Sequence, residues 1–130
     1  MLDQKLVSRG GCAGNIAYGF RALGFDDFSL VSVLGSRDAK DYLEYLQQNS
    51  IETQYVTVLE DSFSSCAYIA SDRSLDQLTF FIANQATDSQ KDYLQFGDPS
   101  QYQLAILAPH NMNLIVEAFQ FISKHEIDLV

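Results

Sequence analysis

The residues best suited to chemistry lie in one short stretch, residues 10–15, whose sequence is GGCAGN. Gly10, Gly11 and Gly14 leave the backbone bare, so a ligand can approach it closely, and glycine adopts turns that other residues avoid. The pattern that follows predicts a helix opening at Asn15, and amide groups at a helix N-terminus point toward whatever binds there. This glycine loop (residues 10–15) therefore suits a polar small molecule that carries hydroxyl groups or a phosphate.

Helices alternating with short apolar strands would hold the glycine loop in place. The first helix would bury Ile16, Phe20 and Leu23, Asp38 would cap the second, and the last would bury Phe119. Short apolar strands between helices predict a parallel sheet covered on both faces. The predicted helices span 15–23, 38–49, 88–94 and 112–125, and the predicted strands span 28–34, 104–107 and 127–130.

The middle of the chain differs from this pattern. Three strand-like runs, 54–59, 63–71 and 77–83, follow one another with only short polar segments between them. Consecutive strands without intervening helices predict an antiparallel meander. Both alternating faces of the second run are largely apolar, so each face needs a cover, and a ligand or a partner chain would supply one of them.

Charge and cysteine content exclude several classes of partner. The chain has 130 residues, of which 17 are acidic and 8 basic, for a net charge of −9. This acidity argues against a nucleic-acid partner and against an anionic membrane surface, since both require a basic face. No apolar run approaches the roughly 20 residues of a membrane span. Cys12 and Cys66 match no metal-ligand spacing and are interpreted as reduced thiols, so we expect a cytoplasmic protein.

The order of motifs between residues 10 and 35 resembles the first signature of the ribokinase (PfkB) family of sugar and nucleoside kinases. The glycine loop is followed by a helix, by Leu23-Gly24 and by a strand that ends at Gly35. Residues 10–18 (GGCAGNIAY) are most similar to the bacterial adenosine-kinase-like members. The likeness continues through the helix after Pro109 and so covers nearly the whole chain.

The chain departs from the family pattern at three places. The stretch from Gly24 to Gly35 is one residue longer than usual in the family. Residues 82–85 (IANQ) stand where close relatives have a His-Pro-Gly-Ala-like run, and His110-Asn111 replaces an Asp-Gly-like pair. These differences bear on which substrate is expected rather than on the resemblance to the family.

The resemblance implies an α/β, partial ribokinase-like fold, with a parallel sheet, flanking helices and a small antiparallel β lid at about 54–83. Residues 1–130 would form an incomplete domain that lacks the C-terminal ATP-binding and catalytic part. The strand-like run at 127–130, where the sequence stops, fits this expectation. In many relatives the lids of two subunits pack together, so a homodimer through the lid strands is an expected assembly.

The resemblance also assigns substrate-binding residues. Gly10, Gly11 and Asn15 would contact the sugar, and Cys12 would line the pocket. The alternatives are that Asn15 only caps its helix and that Cys12 is a small buried residue. In the lid, strand residues would close over the substrate or pack in a dimer, and Asn84 would serve either the pocket or its own loop.

ATP and Mg²⁺ are the cofactors that the resemblance implies for the full-length family. The family holds the phosphates with a late Gly-Ala-Gly-Asp motif, whose glycine amides bind the anion and whose Asp is the base. None of the seven glycines here belongs to such a motif, and the Gly-Asp pair at Gly97-Asp98 precedes Pro99 and lacks a glycine nest. We therefore predict no catalytic residue and no metal site in this chain.

The sequence is thus interpreted as the substrate side of an ATP-dependent sugar or nucleoside kinase. Adenosine to AMP is the expected reaction, and the isolated chain is expected to be inactive. The alternative is a non-catalytic truncated remnant that acts as a ligand-binding or dimerisation module, and the coding sequence beyond Val130 distinguishes the two. A dinucleotide-binding domain is excluded, because glycines at 10, 11 and 14 do not give Gly-x-Gly-x-x-Gly.

Overall fold

Helices and strands alternate along the chain, with one departure in the middle. The structure is a computed structural model that describes residues 5–74, 76–83 and 92–130. In chain order, its helices and strands are α1 (Cys12–Ala22), β1 (Ser32–Gly35), α2 (Ala39–Gln48), β2 (Val56–Leu59), β3 (Cys66–Ser71), β4 (Gln77–Ile82), β5 (Leu104–Ala105), α3 (Met112–Lys124) and β6 (Asp128–Leu129).

Two β-α-β units organise the parallel part of the fold. In the first, α2 connects β1 to β2, which pair in parallel from Ser32 opposite Val56 to Gly35 opposite Leu59. In the second, α3 connects β5 to β6, which also pair in parallel. A helical crossover is what parallel neighbours require, because a tight turn can join only antiparallel strands. The predicted α/β class, with parallel strands, flanking helices and a small antiparallel sheet, is confirmed.

The predicted meander is wrong in its first strand. The run at 54–59 contains β2, which pairs in parallel with β1 instead of joining an antiparallel sheet. Helix α2 precedes β2 and carries the chain back to the start of β1, so β2 runs in the same direction as β1. The antiparallel part is therefore only the hairpin β3–β4, in which Cys66 lies opposite Ile82 and Ser71 opposite Gln77.

Helices α1 and α2 share an apolar core with the chain before β1. Ala17, Leu30, Leu46 and Ile51 are buried together. The start of α1 differs from the prediction: Gly11, with φ +91°, is the N-cap, so the helix begins at Cys12 rather than Asn15. Leu23 was expected on the buried face but is exposed, because α1 ends at Ala22 and the chain turns through Gly24 at φ +84°.

Helix α3 covers the other side of β1. Leu114 packs with Val33, and Tyr93 and Leu94 join this second core from the segment before β5. The Glu117 carboxylate of α3 accepts hydrogen bonds from the amides of Tyr93 and Leu94, at 3.0 and 2.6 Å, and so fastens that segment to the helix.

Three further predictions concern helix residues. Phe119 was expected to be buried but is half exposed, because α3 buries the row Leu114, Ala118 and Ile122. Asp38 does occupy the N-cap of α2, but its side chain makes no capping bond to that helix. The predicted helix at 88–94 lies partly outside the described residues, and residues 92–94 are not helical. In the described part of the chain, no helix is both long enough and apolar enough to cross a bilayer.

Candidate functional site

Two segments lie at the edge at which β1 and β2 end. Helix α2 follows β1, so its N-terminus lies at this edge, and α1 leads into β1 and therefore begins there. This edge thus receives the glycine loop and the β1–α2 turn at 36–38, whereas the β5–α3 loop at 106–111 follows a strand of a separate two-stranded sheet. Ligands of open α/β sheets bind at the carboxyl ends of the strands.

The glycine loop presents an open backbone at this edge. Gly10, Gly11, Cys12 and Asn15 are all exposed, and the amide of Asn15 donates to the carbonyl of Gly11 at 2.9 Å as the first helical bond. The amides between these two residues have no partner within the helix, so they are available to a ligand. The four predicted site residues thus lie together on the surface, and their contact with a substrate remains a prediction.

Two alternatives for these residues are wrong. Asn15 does not cap α1, because Gly11 occupies the N-cap and Asn15 lies in the first turn. Within the described ranges its exposed side chain forms no hydrogen bond that would engage its amide. Cys12 is not a small buried residue, since its thiol is free and exposed.

Tyr42 supports the glycine loop and was missed at the sequence level. Its hydroxyl donates to the carbonyl of Gly10 at 2.5 Å, and it lies so close to Gly14 that a Cβ there would overlap it. Burial, with a smaller contribution from Tyr45, raises the pKa of Tyr42, so the hydroxyl stays protonated and remains a donor. The sequence feature that could have drawn attention to Tyr42 is its helical spacing from Ala39 and Leu46. This spacing places all three residues on one face of α2.

The β3–β4 hairpin presents apolar side chains on both of its faces. Tyr68 lies opposite Phe80 on one face, and Ala67 lies opposite Phe81 on the other. All of its described residues are exposed, including Phe81 at 83%. Neither face is covered within the described part of the chain, although a cover on each was expected. Asn84, for which a pocket or loop role was predicted, lies outside the described residues.

The Gly97-Asp98 pair does not form a phosphate site. The amide of Gly97 donates to the hydroxyl of Tyr102 at 3.2 Å, and there is no space for a Cβ against the rings of Tyr55 and Tyr102. The Asp98 carboxylate accepts from the amide and hydroxyl of Ser100, which lowers its pKa. Both groups are engaged in local contacts, so this pair does not fit the phosphates of ATP.

His110 lies in the β5–α3 loop. Its Nδ1 accepts from the amide of Asn111 at 2.8 Å, which places the proton of the neutral ring on Nε2. Burial lowers the pKa of His110 below its ordinary 6.5. Among the described side chains, no group of three His, Cys, Asp or Glu residues could hold a metal ion.

Comparison with known proteins agrees with this architecture. The chain matches the family described as pfkB family carbohydrate kinase over residues 4–119. It is similar to a Burkholderia thailandensis nucleoside kinase solved with inosine, with 26% identity and a TM-score of 0.77 over 99% of this chain and 41% of that one. The same kinase with ADP-inosine gives 27% identity and a TM-score of 0.69, over 97% and 40% of the two chains.

One archaeal protein is similar to this chain in fold. The Methanocaldococcus jannaschii nucleoside kinase, a member of the ribokinase family, is 23% identical, with a TM-score of 0.71 over 92% of this chain and 42% of that one. The chain thus spans about two fifths of the length of these solved relatives. No curated protein matches the sequence.

Replacing His110 should reduce the acid sensitivity of the fold. Because the folded-state pKa of His110 lies below 6.5, its contribution to stability is complete above that pH and is lost as the pH falls through the folded value. In His110→Asn, the unfolding free energy, measured by urea denaturation, should fall less between pH 7.5 and pH 5 than in the parent. His125→Asn is the matched control. Its unfolding free energy should fall as much as that of the parent, because His110 is intact. Equal losses in parent and His110→Asn would contradict the prediction.

Proposed function

Because the chain belongs to the pfkB family of carbohydrate kinases, we propose that it forms the sugar-binding part of a nucleoside kinase. One observation carries this proposal, namely that Gly10, Gly11 and Asn15 lie together, exposed, at the edge where β1 and β2 end. The family reaction would transfer a phosphoryl group from ATP to a hydroxyl of the sugar. We propose adenosine as the substrate and AMP as the product, and the inosine held by the Burkholderia kinase supports a purine nucleoside.

The chemistry of the loop favours sugar hydroxyls over a phosphate. The Asn15 amide has both donor and acceptor groups, so it can bind two neighbouring hydroxyls of a ribose. Arg9, the basic residue next to the loop, lies 3.8 Å from the carboxylate of Asp41, and this neighbour offsets its charge. Asp38 adds a second carboxylate in the same part of α2. A neutral ribose therefore meets less repulsion here than an anion would.

We propose that the exposed hairpin is the lid over the nucleoside. The face with Tyr68 and Phe80 offers aromatic rings on which a purine can stack, an interaction worth about 1–3 kcal/mol per base. The other face, with Ile69 and Phe81, would pack against a second copy of the chain. Both faces are apolar, so a homodimer through the lid would bury surface that is otherwise exposed to water.

The phosphoryl-transfer half of the reaction would be carried by residues outside 1–130. Since the chain spans about two fifths of the length of its solved relatives, we propose that it is an incomplete domain. The second candidate function is a non-catalytic module that binds a nucleoside or dimerises. The exposed hairpin favours it, because that surface requires a partner but no catalytic residue.

Adenosine should stabilise the chain through Asn15. A ligand at one hundred times its Kd stabilises the folded state by about 2.7 kcal/mol, so the melting temperature of the parent should rise with adenosine. Asn15→Ala should abolish this rise, because the alanine side chain cannot bond to the ribose. Gln120→Ala, an exposed amide on α3, is the control and should behave as the parent does. An unchanged rise in Asn15→Ala, measured by differential scanning fluorimetry, would overturn the role of Asn15.

The purified chain should not phosphorylate adenosine. Incubated with adenosine, ATP and Mg²⁺, it should give no AMP above the level without protein, because its Gly-Asp pair at Gly97-Asp98 is engaged in its own turn. Chromatographic separation of the nucleotides measures this directly. AMP formation that depends on both ATP and the protein would show that residues 1–130 hold a complete active site.

A further inference from the structure

The segment that leads into the hairpin is fastened to the β1–α2 turn. This hairpin root comprises residues 60–65, between β2 and β3. The amide of Arg37 donates to the carbonyl of Ser62 at 3.1 Å, and the guanidinium lies 5.3 Å from the centre of the Phe63 ring. Ser62 is 2% exposed. Gly35 is required here, because a Cβ would overlap the backbone of Ser62 and Phe63.

Asp38 supplies a charged acceptor at the junction between the hairpin root and the β1–α2 turn. Its Oδ1 accepts from the amide of Ser64 at 2.9 Å and from the Ser64 hydroxyl at 2.7 Å. That hydroxyl in turn accepts from the amide of Gly35 at 2.9 Å. The hydrogen bonds therefore run in one direction, from the end of β1 through Ser64 to the carboxylate. Bonds to an ionised acceptor are stronger than neutral ones.

Tyr42 lies one helical turn beyond Asp38 and contacts a different segment. Residues four apart on a helix share a face, and at this spacing Tyr42 reaches the carbonyl of Gly10 while Asp38 reaches Ser64. One helix thus holds two segments that lie about 50 positions apart in the sequence, the glycine loop and the hairpin root. The hairpin itself is exposed along both strands, so its root is where its direction is set.

We propose that Asp38 and Tyr42 are positioning residues, through which α2 fixes the hairpin relative to the glycine loop. Asp38 sets where the hairpin leaves the parallel sheet, and Tyr42 sets where the glycine loop begins. The consequence for nucleoside binding rests on the proposed function, whereas the consequence for the hairpin root does not. Neither side chain needs to touch the nucleoside, since each acts through the segment that it holds.

Amide hydrogen exchange tests the Asp38 junction without any ligand. Asp38→Ala should speed exchange at the amides of Ser64 and Gly35 about tenfold, as expected when a hydrogen bond to a charged group is lost. Asp38→Asn should restore slow exchange, because its amide oxygen still accepts from Ser64. Asp41→Ala, which removes a carboxylate from the same helix, should leave both amides unchanged.

Ser64→Ala is a second variant, in which the amides at positions 35 and 64 should differ in their exchange. Gly35 loses its acceptor, so its amide should exchange faster, while the amide at position 64 keeps its bond to Asp38. The amide of Ile122 in α3 should be unaffected in every variant, since the change is local. Unchanged exchange at positions 35 and 64 in Asp38→Ala, or an equal increase at Ile122, would overturn the proposal.

Adenosine affinity then tests the link to the glycine loop. Asp38→Ala and Tyr42→Phe should each raise the Kd for adenosine several-fold, whereas Glu44→Ala, which removes another exposed carboxylate of α2, should not. Tyr42→Phe should leave exchange at Ser64 and Gly35 unchanged. Parent-like affinity in both variants would refute the positioning role. Absence of adenosine binding by the parent would refute the proposed function instead, and the exchange experiment would still decide the role of Asp38 at the hairpin root.

Discussion

The packing of α1 against α2 is the contact on which the candidate site depends. Leu46 is fully buried in the cluster that includes Ala17, and Tyr42 packs against the same cluster. With Tyr42 held in this cluster, its hydroxyl reaches the carbonyl of Gly10. The glycine loop has few side chains of its own with which to hold its shape. Its conformation is therefore fixed by contacts with α2, a helix that follows it in the sequence.

The same helix connects the site to the least covered part of the molecule. Asp38 occupies a capping position, yet its carboxylate is directed to Ser64 rather than to the amides of its own helix. A carboxylate near a helix N-terminus still interacts favourably with the helix dipole, so α2 loses little by this arrangement. The hairpin root gains a charged acceptor at the point where the chain leaves the parallel sheet. Within the described part of the chain, nothing covers the hairpin beyond its root.

Much of the fold could be predicted because the helical and strand periods are clear in the sequence. The α/β class, the second and last helices, and the two apolar faces of the hairpin all follow from spacing. The partner of β2 could not be predicted, since an apolar run has the same period in a parallel and an antiparallel sheet. The start of α1 was misplaced because the positive φ of Gly11 admits Cys12 to the helix, whereas Asn15 had the residue type of a cap.

Site residues could be predicted only where the residue type itself indicates a binding role. Gly10, Gly11 and Asn15 could be selected from the glycine loop itself, but their relation to a ligand depends on the family. Tyr42 and Asp38 could not be assigned, because a helical pattern shows which face is buried and not which distant segment it meets. Ser64, in the chain between β2 and β3, gave no signal until the structure placed it against Asp38.

The central claim is that the glycine loop contacts the sugar of a nucleoside. Its most direct test is a titration of the ¹⁵N-labelled chain with adenosine, followed by amide chemical shifts in NMR spectra. The account predicts that the largest shifts occur at the amides of Gly11 and Cys12 and at the side-chain amide of Asn15, with smaller ones at the hairpin. Shifts confined to other parts of the chain, or none at millimolar adenosine, would contradict it.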